Sequence, residues 1–376
     1  MEKITLVCPC VFGVESLVAD EIRALGYTEV ITQNGRVLFT GDEAAIARAN
    51  IGLRCAERVL IQVAEFEAHS FEQLFQGVKA APWENWIGRE DGFPVKGWSL
   101  NSALHSVPDC QAIVKKAVVE RLKAKYRVDW FKETGAKLQI QFSILKDQVS
   151  VCIDTSGEGL HKRGYRKNAG GAPLKETLAA ALVQLARVYP DRAFCDPMCG
   201  SGTILIEAAM LGQNRAPGLE RNFAAEQFHL DPKIFPRARE EARAQITNEP
   251  LDIFGYDSDE AAVALTLENA ALAGVGGVIK ATRQELKDFS PTQAHGTVVT
   301  NPPYGERLLE VSEAEALYAV MGEVFLKLSG WRFYIISPSD KFEPLFGRRA
   351  DKKRKLYNGM IKCEYFQYFR PQQRQP

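Results

Sequence analysis

The sequence predicts an α/β protein: a doubly wound sheet over residues 156–376, closed by an antiparallel C-terminal hairpin, behind an α+β half over residues 1–155. Three observations predict it. From residue 172 onward, short β-rich runs alternate with helix-length segments, the strand–helix repeat of a parallel sheet. Arg354 to Asn358-Gly359 to Phe369 is a pair of alternating runs across an Asn-Gly turn, a strong hairpin signal. Before residue 155, strands and helices mix without any such repeat.

The bulk properties fit that organisation. A chain of 376 residues, 46% hydrophobic and 25% charged, is long enough for two or three domains with a substantial core. The 47 basic and 47 acidic residues cancel, so overall charge does not announce a nucleic-acid partner, and any basic surface is local. The N-terminus, MEKITLVCPCVFGVESL, alternates as a strand and then turns helical, unlike a secretory signal. No run approaches the roughly 18 apolar residues of a membrane helix. Cysteines 8, 10, 55, 110, 152, 195, 199 and 363 form no CxxC pair. They are expected as reduced core residues of a cytoplasmic protein, with neither zinc nor a disulfide framework.

The elements follow in order. Strands are expected at Ile4 to Val7 and Arg36 to Thr40, with a helix at Val14 to Leu25 between them; Gly26, Asn34-Gly35 and Gly41 mark the turns. Residues 46–155 form a second section. It has helices at Ala44 to Ile51 and Phe71 to Ala80, and strands at Arg58 to Glu65 and Phe93 to Ser99. A helix from Ser106 to Lys125 has Pro108 in its first turn. A hairpin joins Leu138 to Leu145 with Val149 to Asp154. The stretch GEGLHKRGYRKNAGG, residues 157–171, reads as the joint to the next part. Beyond it, strands are expected at Phe194 to Asp196, Ile253 to Asp257, Val278 to Thr282, Thr297 to Thr300 and Trp331 to Ser337. Helices are expected at Thr203 to Leu211, Glu260 to Ala273 and Glu313 to Leu328.

Three strand ends carry chemistry. Asp196-Pro-Met-Cys-Gly-Ser-Gly-Thr203 lies between a strand and a helix; Gly200 and Gly202 allow a sharp turn and close approach of a ligand, and the helix N-terminus offers free N–H groups. No Lys follows the glycines, so it is not a P-loop, and the GxGxxG dinucleotide pattern fails after Gly202. Gly255-Tyr-Asp257-Ser-Asp259 ends the next strand. Asp257 is placed to accept both hydroxyls of a ribose, whereas Asp259 reads as the cap of the following helix. Asn301-Pro302-Pro303-Tyr304 ends a later strand and is the most informative of the three. An exocyclic amino nitrogen of a base is a poor nucleophile, because its lone pair is delocalised into the ring. The Asn301 amide oxygen and the Pro302 carbonyl, stiffened by Pro303, can hold such an amine so that its lone pair faces a methyl donor. Tyr304 offers a face for a flipped base.

The order of donor turn, ribose acid and acceptor loop resembles a class I S-adenosylmethionine methyltransferase of the amino-group branch. LHKRGYR at residues 160–166, APLKET at 172–177, DPMCGSGTILIEAA and NPPYGERL together resemble the THUMP-domain RNA methyltransferases. The chain is most similar to their bacterial group related to the large-subunit rRNA guanine-N2 methyltransferase. The resemblance implies a ferredoxin-like section over residues 1–45, a THUMP RNA-binding domain over 46–155 and a Rossmann-like methyltransferase domain over 156–376. It implies S-adenosylmethionine as cofactor. Asp196, Met198, Cys199, Gly200, Gly202 and Thr203 would wrap the donor, and Asp257 would hold its ribose. Gln284 or Glu285 would lie near its adenine, where an Asp is common in the family. The segments Lys162–Arg166 and Pro173–Thr177, with Lys175 and Thr177, would close over it.

Lys115 and Lys116 on one helix, and Lys162, Arg163 and Arg166 within His161–Lys167, are candidate RNA contacts; Arg348 to Lys355 is a second basic run. Trp83 and Trp86 read as packing residues, and the five histidines show no ligand spacing. The expected activity is methylation of an exocyclic base amine in RNA, foremost guanine N2 of 23S rRNA. Adenine-N6 methylation of RNA or DNA is an alternative, and a non-catalytic RNA-binding assembly factor is a third. The oligomeric state stays open, and neither membrane nor metal is expected.

Overall fold

The computed structural model describes residues 3–166, 174–188, 191–304 and 311–370. Residues 167–173, which end the GEGLHKRGYRKNAGG joint and open the APLKET segment, and the GERL residues 305–308 lie outside them. The chain divides into two units: residues 1–10, 18–160 and 221–241, and residues 11–17, 161–220 and 242–376.

The first unit contains β1 (Ile4–Pro9), α1 (Glu15–Ala24), β2 (Val30–Gln33), β3 (Arg36–Gly41), α2 (Glu43–Gly52) and β4 (Leu60–Glu67). It continues with α3 (Phe71–Ala80), β5 (Val95–Leu100), α4 (Val107–Tyr126), β6 (Ile140–Leu145) and β7 (Gln148–Asp154). All seven strands form one sheet in the order β2-β3-β1-β4-β7-β6-β5. The two N-terminal sections expected from the sequence therefore share a sheet, through the pairing of β1 with β4 and of β4 with β7. Alternation along the strands buries Leu6, Cys8, Val37, Phe39, Ile61, Val151 and Phe142, the apolar face that a sheet must cover. Trp83 is fully buried, with its indole N–H donating to the Val78 carbonyl at 2.7 Å, so it packs as expected.

Residues 221–241 return to this unit from the far half of the sequence. Arg221 donates to the carbonyls of Glu158 and Gly159, both at 2.8 Å. Arg48 makes a two-pronged bond to Glu241 at 2.8 and 3.0 Å.

The second unit contains α5 (Glu176–Ala186), β8 (Ala193–Asp196), α6 (Thr203–Gly212), β9 (Ile253–Asp257), α8 (Glu260–Leu272) and β10 (Ile279–Arg283). It ends with β11 (Gly296–Thr300), α9 (Val311–Phe325), β12 (Trp331–Ser337), α10 (Phe342–Phe346), β13 (Lys352–Asn358) and β14 (Ile361–Tyr368); α7 (Ile234–Ala244) falls mostly in the first unit. Its sheet order is β10-β9-β8-β11-β12-β14-β13, parallel from β10 to β12 and antiparallel through the closing hairpin. Behind β11 and β12, stacked and edge-on rings of Phe289, Phe325, Phe333, Phe342 and Phe366 form the core.

Candidate active site

The sheet order reverses at β8. The chain leaves β8 for β9 on one side and later reaches β11 on the other, so a crevice opens beyond the carboxyl ends of β8 and β11. Asp196 pairs with Gly255 of β9, and Cys195 pairs with Val298 of β11. The donor turn and the acceptor loop thus leave the sheet from adjacent strands.

The donor turn is held by its own backbone. Cys199 N–H donates to the Tyr256 carbonyl at 2.9 Å, and Gly202 N–H to the Cys199 carbonyl at 2.8 Å. Gly200 and Gly202 have φ of +53° and +78°, left-handed conformations that favour glycine. A Cβ on Gly202 would lie 2.7 Å from Thr266 Cγ2, whereas one on Gly200 would meet nothing within 4 Å. Gly200 therefore faces open space, the cradle a ligand needs. From α8, Thr266 Oγ1 donates to the Gly200 carbonyl at 2.8 Å, and Asn269 Nδ2 donates to the Ser201 carbonyl at 3.0 Å. The sequence reading missed both supports. Their signal was two uncharged polar residues three apart, on one face of a largely apolar helix.

Two carboxylates flank the turn. Asp257 Oδ2 accepts the Gly200 N–H at 2.9 Å and Oδ1 accepts the Asp259 N–H at 3.1 Å. Asp259 caps α8 by accepting the Ala261 N–H at 2.9 Å, as the sequence predicts. Asp196 is buried and accepts the Met198 N–H at 3.1 Å. Burial pushes its carboxyl up to about 7; the Thr300 hydroxyl and the Met198 N–H pull it down, and the Asp257 charge raises it. Such negative potential suits a cationic ligand. Gln284 follows β10 beside Asp257, its N–H on the Asp257 carbonyl at 2.9 Å; its amide donates to the Asp288 carbonyl at 2.6 Å, while Glu285 is exposed.

The acceptor loop is different. Asn301 Oδ1 is buried and has no hydrogen-bond partner in the structure. A buried acceptor left unpaired costs about 1–3 kcal/mol, so Oδ1 is open to any donor that enters the crevice. Pro302 is buried beside it. The Tyr304 hydroxyl accepts from Asn358 Nδ2 at 2.7 Å, on the closing hairpin, and burial pushes its phenol far up, which keeps it neutral.

The basic residues behave less uniformly than the sequence suggests. Arg163 is buried: its Nε donates to Glu207 Oε1 at 3.3 Å, both side chains being almost inaccessible. It is a core ion pair, not an RNA contact, because a guanidinium so enclosed cannot reach a phosphate. Arg166 pairs with Glu176 at 2.7 Å and donates to the Leu174 carbonyl and Thr203 Oγ1, so it ties the segment to the donor helix α6 instead of facing RNA. Lys162 is exposed. Lys115 bonds the Phe93 carbonyl and Glu133 and sits 3.6 Å above the Phe93 ring, a local packing role, while Lys116 is exposed. Lys175 occupies the N-cap position of α5 without a side-chain capping bond, and Thr177 is buried in its first turn. Among the described residues no group of three or more His, Cys, Asp or Glu could hold a metal.

Residues 163–367 match the methyltransferase domain described as RMKL-like, residues 5–60 the RlmL ferredoxin-like domain, and residues 68–154 the THUMP domain. The chain belongs to the RMKL-like methyltransferase family. Across its whole length it is 48% identical to "Putative RNA methyltransferase YpsC" of Bacillus subtilis, 99% of which it covers. It is 37% identical over 96% of its length to "Ribosomal RNA large subunit methyltransferase K/L" of Syntrophotalea carbinolica, and spans about half of that protein (53%). Among solved structures, SMU.472, a "putative methyltransferase complexed with SAH", is 43% identical with a TM-score of 0.92, over 98% of each chain. A "predicted N6-adenine-specific DNA methylase" of Listeria monocytogenes is 46% identical with a TM-score of 0.94, over 99% of this chain and 97% of that one. The fold class is therefore the one expected, a Rossmann-like methyltransferase sheet behind a ferredoxin-like and THUMP region. The cofactor of this methyltransferase is S-adenosylmethionine.

Proposed function

We propose that the protein methylates an exocyclic base amine in RNA, foremost guanine N2 of large-subunit rRNA. The observation that carries the reading is the buried, unpartnered Asn301 Oδ1 one strand away from the glycine turn. The names of the YpsC and K/L relatives support RNA as substrate, and the K/L name supports rRNA. The division into a ferredoxin-like section (1–45), a THUMP RNA-binding domain (46–155) and a methyltransferase domain (156–376) belongs to this proposal, as do the site roles.

In this reading the donor turn, Asp196 to Thr203, wraps the methionine moiety and Asp257 takes the ribose. Gln284 lies beside the adenine and Thr177 borders the donor from α5, while Lys175, one position ahead of the helix, lines a neighbouring cavity instead. The bound cofactor supplies an electrophilic methyl on a sulfonium. Asn301 Oδ1 and the Pro302 carbonyl each accept one N–H of the amine, which pyramidalises it and turns its lone pair to the methyl. Pro303 keeps that carbonyl from rotating. Tyr304, fixed by Asn358, stacks on the extruded base. No strong base is required, since the amine proton becomes acidic once the methyl has moved. Lys116 and Lys162 remain the exposed RNA-contact candidates among those the sequence singles out.

The test is nucleoside mass spectrometry of rRNA and tRNA from a strain lacking the gene, followed by remethylation of that RNA with the purified enzyme. Loss and restoration of N2-methylguanosine in 23S rRNA is expected. A second reading, adenine N6, is favoured by the name of the Listeria relative; loss of N6-methyladenosine instead would establish it. A wild type that transfers methyl to no RNA, yet binds it, would favour the non-catalytic assembly factor.

A further inference from the structure

We infer that a second nucleotide of the substrate, adjacent to the target in the RNA chain, docks in a separate cavity beside Tyr304, its base on Phe12 and its phosphate toward Lys175. This rests on the RNA reading above.

The cavity has a volume of about 230 Å³ and is lined by Val11, Phe12, Lys175, Leu178, Tyr357 and Asn358. That is smaller than the roughly 300–1,000 Å³ of a site for a drug-sized ligand, and suits one planar base better than a whole cofactor. Asn358 both lines the cavity and donates to the Tyr304 hydroxyl at 2.7 Å, so a single side chain separates it from the acceptor loop. A nucleotide bonded to the extruded one stays within one backbone step of that loop, which brings this cavity within its reach.

Phe12 is the exposed aromatic of this cavity. It is 49% exposed, yet its loop is pinned. Gly13 has φ +94°, and a Cβ there would lie 2.8 Å from the Lys355 carbonyl. Arg354 Nη1 donates to the Gly13 carbonyl at 3.0 Å, and Gly13 N–H donates to Glu15 at 2.9 Å. An aromatic ring carried on a pinned loop and left half in water gains little from packing, but is a ready stacking platform for any base. The charge around it fits a phosphate. Lys175 stands at the N-terminus of α5, whose dipole adds to its charge, and Lys355 Nζ lies 5.5 Å over the Tyr357 ring. Glu15, the acidic neighbour, is turned back on its own loop by the Gly13 bond.

The experiment uses the full-length enzyme and a short rRNA fragment centred on the mapped nucleotide, with either neighbour intact or abasic. Phe12→Ala is expected to raise KM about tenfold, the worth of one stacked base, with kcat within about twofold and SAH affinity by calorimetry as in wild type. Phe12→Trp should restore KM. One of the two abasic fragments should raise the wild-type KM by a similar factor, and on that fragment Phe12→Ala should add nothing. An unchanged KM in Phe12→Ala, or a penalty that persists in full on both abasic fragments, overturns the subsite. A wild type that methylates no RNA overturns the RNA reading itself, and the subsite with it.

Discussion

The donor turn and the acceptor loop sit on neighbouring strands and follow opposite rules. In the turn, the Cys199, Gly200 and Gly202 N–H groups and the Gly200 and Ser201 carbonyls all have protein partners. In the loop, Asn301 keeps a buried acceptor without one. The difference teaches what each must do. A cofactor used in every turnover can be met by a finished backbone cradle with an opening at Gly200. On the proposed function, a base brought in by extrusion needs an acceptor left open, and the cost of leaving it open is recovered when the amine binds there.

The comparison is broken most directly at Asn301. Asn301→Ala should lower kcat by about 10²–10³-fold, the usual cost of removing one positioned hydrogen-bond group from a reacting centre, while SAH affinity by calorimetry stays unchanged. Equal losses in both would mean that loop and turn are one structural unit, and that Asn301 is not held for substrate.

Two glycines sharpen the contrast within the turn. Gly202→Ala must place its methyl against Thr266 at a left-handed φ, so it should destabilise the fold by about 1–3 kcal/mol, read as a fall in Tm. Gly200→Ala meets no protein atom and should perturb Tm less, but its methyl enters the space left for the donor and should weaken SAH binding more than tenfold on the order-of-magnitude scale of a steric clash. The reverse ranking, Gly200→Ala harming Tm more than SAH affinity, would remove the donor from that opening.

How much of this was legible in the sequence follows from where each signal lives. The turn, Asp257 and the NPPY loop are contiguous, end strands with clear alternation, and carry residue types with few other uses there. Helix α5 was not read because ETLAAALVQLA is buried almost all round and shows no polar face. The return of residues 221–241 to the first unit was not readable, because its anchors, Arg221 on the Glu158 and Gly159 carbonyls and Glu241 on Arg48, are pairings across 62 to 193 residues. Arg163 misled for the same reason. A basic run reads as surface until its partner is known, and Glu207 lies 44 residues away inside the apolar helix TILIEAAMLG. Removing one partner of such a buried pair typically costs about 3–5 kcal/mol, because the other charge is left buried and uncompensated.

The smallest expected effect tests what the two carboxylates of the turn are for. Asp196 holds its proton up to about pH 7 in the free protein, chiefly because it is buried, with Asp257 adding to the rise. A folded-state value above the ordinary carboxylate range means that the neutral form suits the apo fold. Its stabilising contribution is full below about pH 4 and is lost as pH rises through 7, so apo Asp196→Asn should gain Tm relative to wild type across that window. In the proposed site the donor reverses the preference. Its sulfonium is positive and favours an ionised Asp196, so at pH 6 binding must first expel a proton that at pH 8 is already gone. S-adenosylmethionine should therefore bind about tenfold more tightly at pH 8 than at pH 6. SAH, whose sulfur is uncharged, should gain less, and Asp196→Asn should flatten the difference between the two ligands. Parallel pH profiles for both ligands in the wild type would show that the Asp196 charge does not face the sulfonium, and the turn would then bind its donor by shape and backbone contacts alone.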